Sequence, residues 1–260
     1  MCYIFQLAVL ALITVLLCVL TILFGLFETH GKQAYRINRF WSWLILRATG
    51  ISVKVAGLEN IDPTHQYIFI ANHQSNIDIP VLVQALPQFQ LRWLAKKELL
   101  RVPFFGWAMW ATNHVTVDRS DPQDAVKSLT RAKECLAAGM SLVVFAEGTR
   151  SRDGKLQRFK KGGFLLAAET RTQIVPVTVN GSGSLLPVGA WRLRPGTVEV
   201  VVEQPVAVEG FRPGNLRVLS SQVRDKIASH LSKPVQSQTQ ESAQDKDKFV
   251  GHQALGNRSV

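Results

Sequence analysis

From Cys2 to Phe27 the chain carries no charged residue, and Gln6 is its only strongly polar side chain. At about 1.5 Å per residue, a helix of that length matches a hydrocarbon core of about 30 Å. The pattern therefore predicts a membrane-anchoring helix and argues against the core helix of a soluble protein. No basic residue precedes the segment and no small-x-small site follows it, so it does not read as a removable signal. A second helix is expected over residues 33–49, where Trp41, Trp43, Leu44, Leu46 and Ala48 are interspersed with Arg36, Arg39 and Arg47. Trp with Arg suits a lipid–water boundary, and the same helix suits packing on a core equally well.

After residue 50 the period changes. Residues 51–55 alternate apolar with polar, which predicts a half-exposed strand closed by Gly57. Residues 67–71 and 141–145 are nearly all apolar, as strands covered on both faces are. Further strands are expected at 91–95, 115–117, 174–179 and 197–202. Helices are expected at 80–86, 164–170 and 215–231. Another runs from Pro122 to Ala138, with Ser120-Asp121 as its cap and Gly139 as its stop. Residues 180–184 read as a loop. The aromatic run Phe104, Phe105, Trp107, Met109 and Trp110 is assigned to core packing, with an acyl pocket or the bilayer as alternatives. The expected fold is α/β, with a largely parallel central sheet flanked by helices and preceded by an N-terminal membrane-anchoring helix pair. Residues 1–50 are the anchoring helices, 51–231 the α/β domain, and 232–260 a polar tail too poor in aromatics to order itself.

Charge adds a partner to this picture. The formal net charge is +11, while the tail from Leu231 onward nearly balances, so the excess sits on the body of the chain. Lys32, Arg36, Arg39 and Arg47 follow the apolar segment against one acid, Glu28, and the positive-inside rule puts the remainder on the cytoplasmic side. A basic body tethered to a membrane suits anionic lipid, or an anionic substrate held at the surface. No nucleic-acid module is recognisable, and nucleic acid is not expected as a partner. Cys2 and Cys18 lie in the apolar segment and Cys135 in a predicted helix, which suggests no disulfide framework.

Three polar clusters follow predicted strands: Asn72-His73 with Asp78 five positions beyond the His, Asp118-Arg119, and Glu147-Gly148-Thr149-Arg150. In an open α/β sheet the carboxyl ends of parallel strands share an edge, so the three can meet in one crevice. A His with a carboxylate in reach can take a proton from a hydroxyl near neutral pH. Asp78 could also cap the following helix, since Ser75-x-x-Asp78 has the form of a capping box. Gly148 lets an oxyanion approach the backbone, and Arg150 offers a planar fork for phosphate; the bland reading of Arg119 and Arg150 is a pair of surface ion pairs. Gly181-Ser182-Gly183-Ser184 is half a nucleophile elbow and lacks the closing Gly. No Cys/His cluster has metal-ligand spacing.

Asn72-His73-x-x-x-x-Asp78, Asp118-Arg119, Phe145-Ala146-Glu147-Gly148-Thr149-Arg150-Ser151 and Val175-Pro176-Val177 resemble the four ordered blocks of the glycerolipid acyltransferases, in particular the bacterial 1-acylglycerol-3-phosphate acyltransferases. The resemblance covers residues 35–230. It departs from the family pattern at Ala146, where Pro is usual before the Glu, and at Asn113, where a Gly is usual. The resemblance implies transfer of a fatty acyl group from a thioester to the 2-hydroxyl of lysophosphatidic acid, giving phosphatidic acid. It implies His73 and Asp78 as the catalytic pair. Arg119, Glu147, Gly148, Thr149, Arg150 and, more weakly, Lys96 would bind the phosphate. The acyl donor would be acyl-CoA or acyl carrier protein, with no cofactor and no metal. Two rival functions remain: the same chemistry on another lysolipid head group, such as a lyso-ornithine lipid, or a non-catalytic module that binds anionic membranes. The first helix could span the bilayer or enter one leaflet.

Overall fold

The computed structural model describes residues 2–28, 31–118, 121–212 and 214–232, so Arg119 and nearly all of the expected tail lie outside the described residues. Among the described residues the elements are α1 (Cys2–Phe27), α2 (Lys32–Ala48), β1 (Ile51–Ala56), β2 (Ile68–Ala71), α3 (Asp78–Ala85), β3 (Leu91–Lys96), α4 (Phe105–Ala111) and β4 (Val115–Val117). They continue with α5 (Pro122–Ala137), β5 (Ser141–Phe145), α6 (Gly162–Thr170), β6 (Ile174–Asn180), α7 (Ser182–Leu185), β7 (Gly196–Val202) and α8 (Leu216–Ser229). Short 3-10 turns lie at Leu58–Asn60 and Lys97–Arg101.

The strands form one sheet in the order β1-β7-β6-β2-β5-β3-β4. β6, β2, β5, β3 and β4 run parallel, β7 meets β6 antiparallel, and β1 follows β7 in parallel. The expected α/β class and largely parallel sheet are present. The five parallel strands end along one edge, which receives the residues after Ala71, Lys96, Val117, Phe145 and Asn180.

The sheet is covered on both faces, which is why β2 is apolar throughout and β5 is apolar after Ser141. Phe69 and Ala71 face a layer containing Tyr35 and Leu46 of α2 and Val81 and Leu82 of α3. Ile68 and Ile70 face a second layer with Ala132 of α5, Phe164 of α6 and Leu219 of α8. Burial of each large apolar side chain contributes about 1.5–3 kcal/mol, so no polar alternation is tolerated in β2 or β5.

Helix α1 lies against the body at both ends. The Tyr3 hydroxyl accepts from Leu193 N–H at 2.9 Å and donates to the Trp191 carbonyl at 3.1 Å. Gln6, the polar exception in the apolar run, donates to the Ala48 carbonyl at the end of α2 at 2.6 Å, satisfying a carbonyl that a helix terminus leaves open. Trp41 Nε1 donates to Thr14 Oγ1 at 3.0 Å. At the far end Gly25 abuts Ala111 of α4, where a Cβ would stand 2.4 Å from the Ala111 carbonyl oxygen. α2 packs on the core through Ala34, Tyr35, Ser42 and Leu46, which are buried, while Phe40 and Trp43 remain exposed.

Two expectations need correction. Residues 182–185 form a helical turn in place of a loop, started by Gly181 at φ 89° and closed by Leu186 N–H on the Ser182 carbonyl at 3.0 Å. The aromatic run is not all core. Gly106, Ala108, Met109 and Ala111 are buried, whereas Phe104, Trp107 and Trp110 face outward, because α4 is a single amphipathic helix whose small side packs inward.

The two departures from the family pattern have local physical accounts. Asn113 has φ 56°, in the left-handed region that Gly enters freely and Asn tolerates. Ala146 donates its N–H to the Ala71 carbonyl at 3.2 Å, a bond between the strand ends that Pro could not make. Replacing Asn113 by Val, a β-branched residue at positive φ, should cost about 1–2 kcal/mol in denaturant unfolding. Asn113→Gly, which meets no steric barrier at this φ, should cost less than Asn113→Val in the same measurement.

Candidate active site

The loop after β2 is fixed from several directions before any catalytic role is considered. The Asn72 side chain is buried and pairs with β6 as a strand would, donating to the Val179 carbonyl at 2.9 Å and accepting from Val179 N–H at 2.7 Å. The Ser75 hydroxyl donates to the Leu186 carbonyl at 2.7 Å. His73 is held at both faces of its peptide: its N–H donates to Glu147 Oε1 at 2.9 Å, and its carbonyl accepts from Ser151 N–H at 2.7 Å.

Within this frame His73 Nδ1 lies 2.7 Å from Asp78 Oδ2. The same carboxylate oxygen accepts the N–H groups of Gln74 at 2.8 Å and Ser75 at 2.9 Å. Asp78 is fully buried, and its Oδ2 already accepts two amide protons, so the third contact has His73 Nδ1 as the donor. That fixes the tautomer and leaves Nε2 as the proton acceptor. The imidazole is also stacked on Phe145 at 3.8 Å and 9° between planes, and Phe145 stacks on Trp93 at 5.5 Å. Ring and carboxylate are both locked. The capping box is only half formed: Asp78 accepts from Ser75 N–H, but the Ser75 hydroxyl accepts from Ile77 N–H at 3.4 Å, and the Asp78 N–H goes to the Ser75 carbonyl at 3.2 Å.

Against the loop whose Ser151 N–H bonds the His73 carbonyl, Thr149, Arg150, Arg152, Asp153, Gln157 and Val188 line a cleft of about 400 Å³ whose lining includes neither His73 nor Asp78. Gly148 turns the chain at φ 74°, and Thr149 Oγ1 donates to Gln157 Oε1 at 3.1 Å. Burial pushes the Glu147 carboxyl up, against the downward pull of the Gln157 and His73 N–H groups.

A family model described as Acyltransferase matches residues 52–180. A 1-acyl-sn-glycerol-3-phosphate acyltransferase of Pseudomonas aeruginosa is 33% identical over 76% of this chain and 77% of its own length. One of Chlamydomonas reinhardtii is 33% identical over 84% of this chain and 65% of its own length. The chain belongs to the 1-acyl-sn-glycerol-3-phosphate acyltransferase family. The crystal structure of the 1-acyl-sn-glycerophosphate acyltransferase from Thermotoga maritima superposes with a TM-score of 0.67 at 28% identity, covering 85% of this chain and 94% of that one. This family member thus spans under two thirds of the algal relative's length.

For this family member the remaining expected residues divide. Gly148, Thr149 and Arg150 stand on the loop fastened to His73, and Thr149 and Arg150 line the cleft. Lys96 is exposed at the end of β3, on the same strand edge but outside the cleft lining. Arg119 lies outside the described residues, though its neighbour Asp118 is held through its N–H by Asp124 Oδ2 at 2.7 Å. Lys97 also reaches Asp124, at 3.1 Å, and the two contacts hold its carboxyl below the usual range. Glu147 departs from its expected role. It is buried, and its two oxygens are taken by His73 N–H and, at 2.8 Å, Gln157 N–H, so it braces the loop instead of facing a phosphate. Gln157, Ser151, Asp124 and the Phe145–Trp93 stack were not singled out from sequence. Only Asp124 carried a local signal, an acid in the first turn after a helix-starting Pro.

Glu147→Ala leaves two backbone donors without an acceptor, at about 1–3 kcal/mol for such a loss. Denaturant unfolding should shift accordingly, and Glu147→Gln, which keeps one acceptor oxygen, should fall between the variant and the parent.

Proposed function

We propose that this chain transfers a fatty acyl group from an acyl thioester to the 2-hydroxyl of 1-acylglycerol-3-phosphate (lysophosphatidic acid), forming phosphatidic acid for phospholipid biosynthesis. The observation that carries the reading is the locked His73–Asp78 pair at 2.7 Å, with an arginine-lined cleft against the loop bonded to His73, in a chain of this family. The whole relatives named above carry that activity in their names.

His73 Nε2 takes the proton of the 2-hydroxyl as its oxygen attacks the thioester carbonyl. Asp78 holds the ring and stabilises the imidazolium as it forms. The tetrahedral oxyanion collapses, the C–S bond breaks, and the imidazolium returns its proton to the departing thiolate. The alcohol is itself the nucleophile, so the serine at 182, which is fully buried, has no part. Arg150 and Arg119, with Gly148, Thr149 and Lys96 along the same edge, hold the phosphate; Arg152 adds a second guanidinium to the cleft. Acyl-CoA or acyl carrier protein enters as co-substrate, and no step calls on a cofactor or metal.

The reading extends to location. The apolar α1 is long and hydrophobic enough to cross a membrane, and only 6% of its most apolar window is buried by the rest of the chain. We place it in one leaflet on the cytoplasmic side, the inner membrane in a bacterium, with the α/β domain at the surface. Support comes from Tyr3 and Gly25, near opposite ends of α1, which both touch the α/β body. A helix so fastened cannot put its ends on opposite sides of a bilayer while that body stays on one.

His73→Ala should give a folded, membrane-bound protein whose acyl transfer to lysophosphatidic acid falls by about 10²–10⁴-fold. Near-parental turnover would end the mechanism. Unchanged lipid binding with no turnover in the parent would leave only a membrane-binding module. Arg150→Ala, which removes a charge-assisted contact of about 1.5–3 kcal/mol, should raise the KM for lysophosphatidic acid roughly 10–100-fold. If another lysolipid in a substrate panel outperforms lysophosphatidic acid, the head group assigned here is wrong.

A further inference from the structure

α4 and the 3-10 turn before it expose more apolar surface than a water-facing helix would. Trp107 is 52% and Trp110 65% exposed, and Leu99, Val102 and Phe104 stand beside them in the open. The inward side of α4 is made of small or flexible residues, and Gly106 sits so tightly under the Leu100 carbonyl that a Cβ would lie 2.4 Å from its oxygen. The turn and helix are therefore closely packed on each other. Phe104, at the junction, holds φ 59°, a conformation L residues rarely adopt, where the chain turns to begin α4.

Two observations say what covers this surface. It is continuous with α1, whose Leu20, Leu23, Phe24 and Phe27 are exposed and whose Gly25 packs on Ala111 of α4. It is also bordered by exposed Lys96 and Arg101, and Trp beside cations is the composition that sits between headgroups and acyl chains.

We propose that the turn Lys97–Arg101 and α4 form a second membrane-contact surface, separate from the anchoring helices, with their aromatic side chains seated at the headgroup–acyl boundary of an anionic leaflet. The contact is independent of the acyl-transfer reading, since it rests on α1 as a membrane helix and on the patch itself. It also has a consequence for access. The turn begins where β3 ends, on the strand edge that carries His73, so seating it sets the rim of the crevice at headgroup level.

The test uses the full chain in vesicles of phosphatidylcholine with a minority of phosphatidylglycerol. With Cys2, Cys18 and Cys135 changed to Ser, Trp107→Cys and Trp110→Cys carry an environment-sensitive fluorophore, and Val126→Cys on α5 and Val218→Cys on α8 serve as exposed controls. A surface seated about 5–10 Å into the boundary predicts quenching by shallow nitroxide lipid on the order of threefold stronger at 107 and 110 than at the controls. In protein with its cysteines intact, Trp107→Phe combined with Trp110→Phe should remove part of the tryptophan emission quenched by brominated lipid. This second arm keeps the test decisive if the Ser changes impair folding. Labels at 107 and 110 as wet as the controls, or an unchanged quenchable emission, overturn the proposal. Protection that persists in detergent and grows with protein concentration also overturns it, assigning the patch to a second copy of the chain.

Discussion

Oδ2 of Asp78 is one buried atom with three hydrogen-bond donors, and the geometry of the strand edge depends on it. A carboxylate removed from water is tolerated only when hydrogen bonds replace its hydration, and here two peptide N–H groups and an imidazole serve Oδ2 at 2.7–2.9 Å, while the buried Oδ1 has no hydrogen-bond partner among the described residues. The arrangement works in both directions. The N–H groups use the oxygen as their acceptor, and that acceptor fixes which nitrogen of His73 carries the proton. Because Asp78 begins α3, which packs through Val81 and Leu82 into the core, the charge cannot drift away from the ring it orients.

The same loop is tied to its neighbours through the backbone more than through side chains in the cleft. His73 contributes its N–H to Glu147 and its carbonyl to Ser151, and Glu147 reaches on to Gln157. The His73 segment and the loop carrying Arg150 are thereby tied together, although 74 residues separate His73 from Glu147 in the chain. The Ala146 N–H on the Ala71 carbonyl adds a further bond between the two strand ends. Preorganised polar groups cost little at the moment of reaction because they were oriented during folding.

Placement at a membrane follows from similar economy. Gln6 and Thr14, polar residues in an apolar helix, are tied to α2: Gln6 Nε2 donates to the Ala48 carbonyl, and Thr14 Oγ1 accepts from Trp41 while donating to the Leu10 carbonyl of its own helix. Tyr3 and Gly25 fasten α1 along the α/β body, and α2 joins the two by burying Tyr35 and Leu46 while leaving Phe40 and Trp43 outside.

Much of this was readable in the residues alone. The uncharged run from Cys2 to Phe27, the fully apolar strands and the polar clusters that follow them are local patterns, and hydrophobic period together with strand–helix alternation determined the α/β class. His73 and Asp78 were legible because a five-residue spacing across a strand–helix junction keeps them close whatever the rest does. Tertiary structure alone decided which face of Trp107 and Trp110 meets the core, since an aromatic run has the same composition packed or exposed. It alone turned Glu147 inward to brace His73, because a carboxylate's role depends on the donors that folding brings to it. Gln157 and the reversal of β1 and β7 belong to the same class: each depends on a partner distant in the chain, and no local pattern of side chains encodes it.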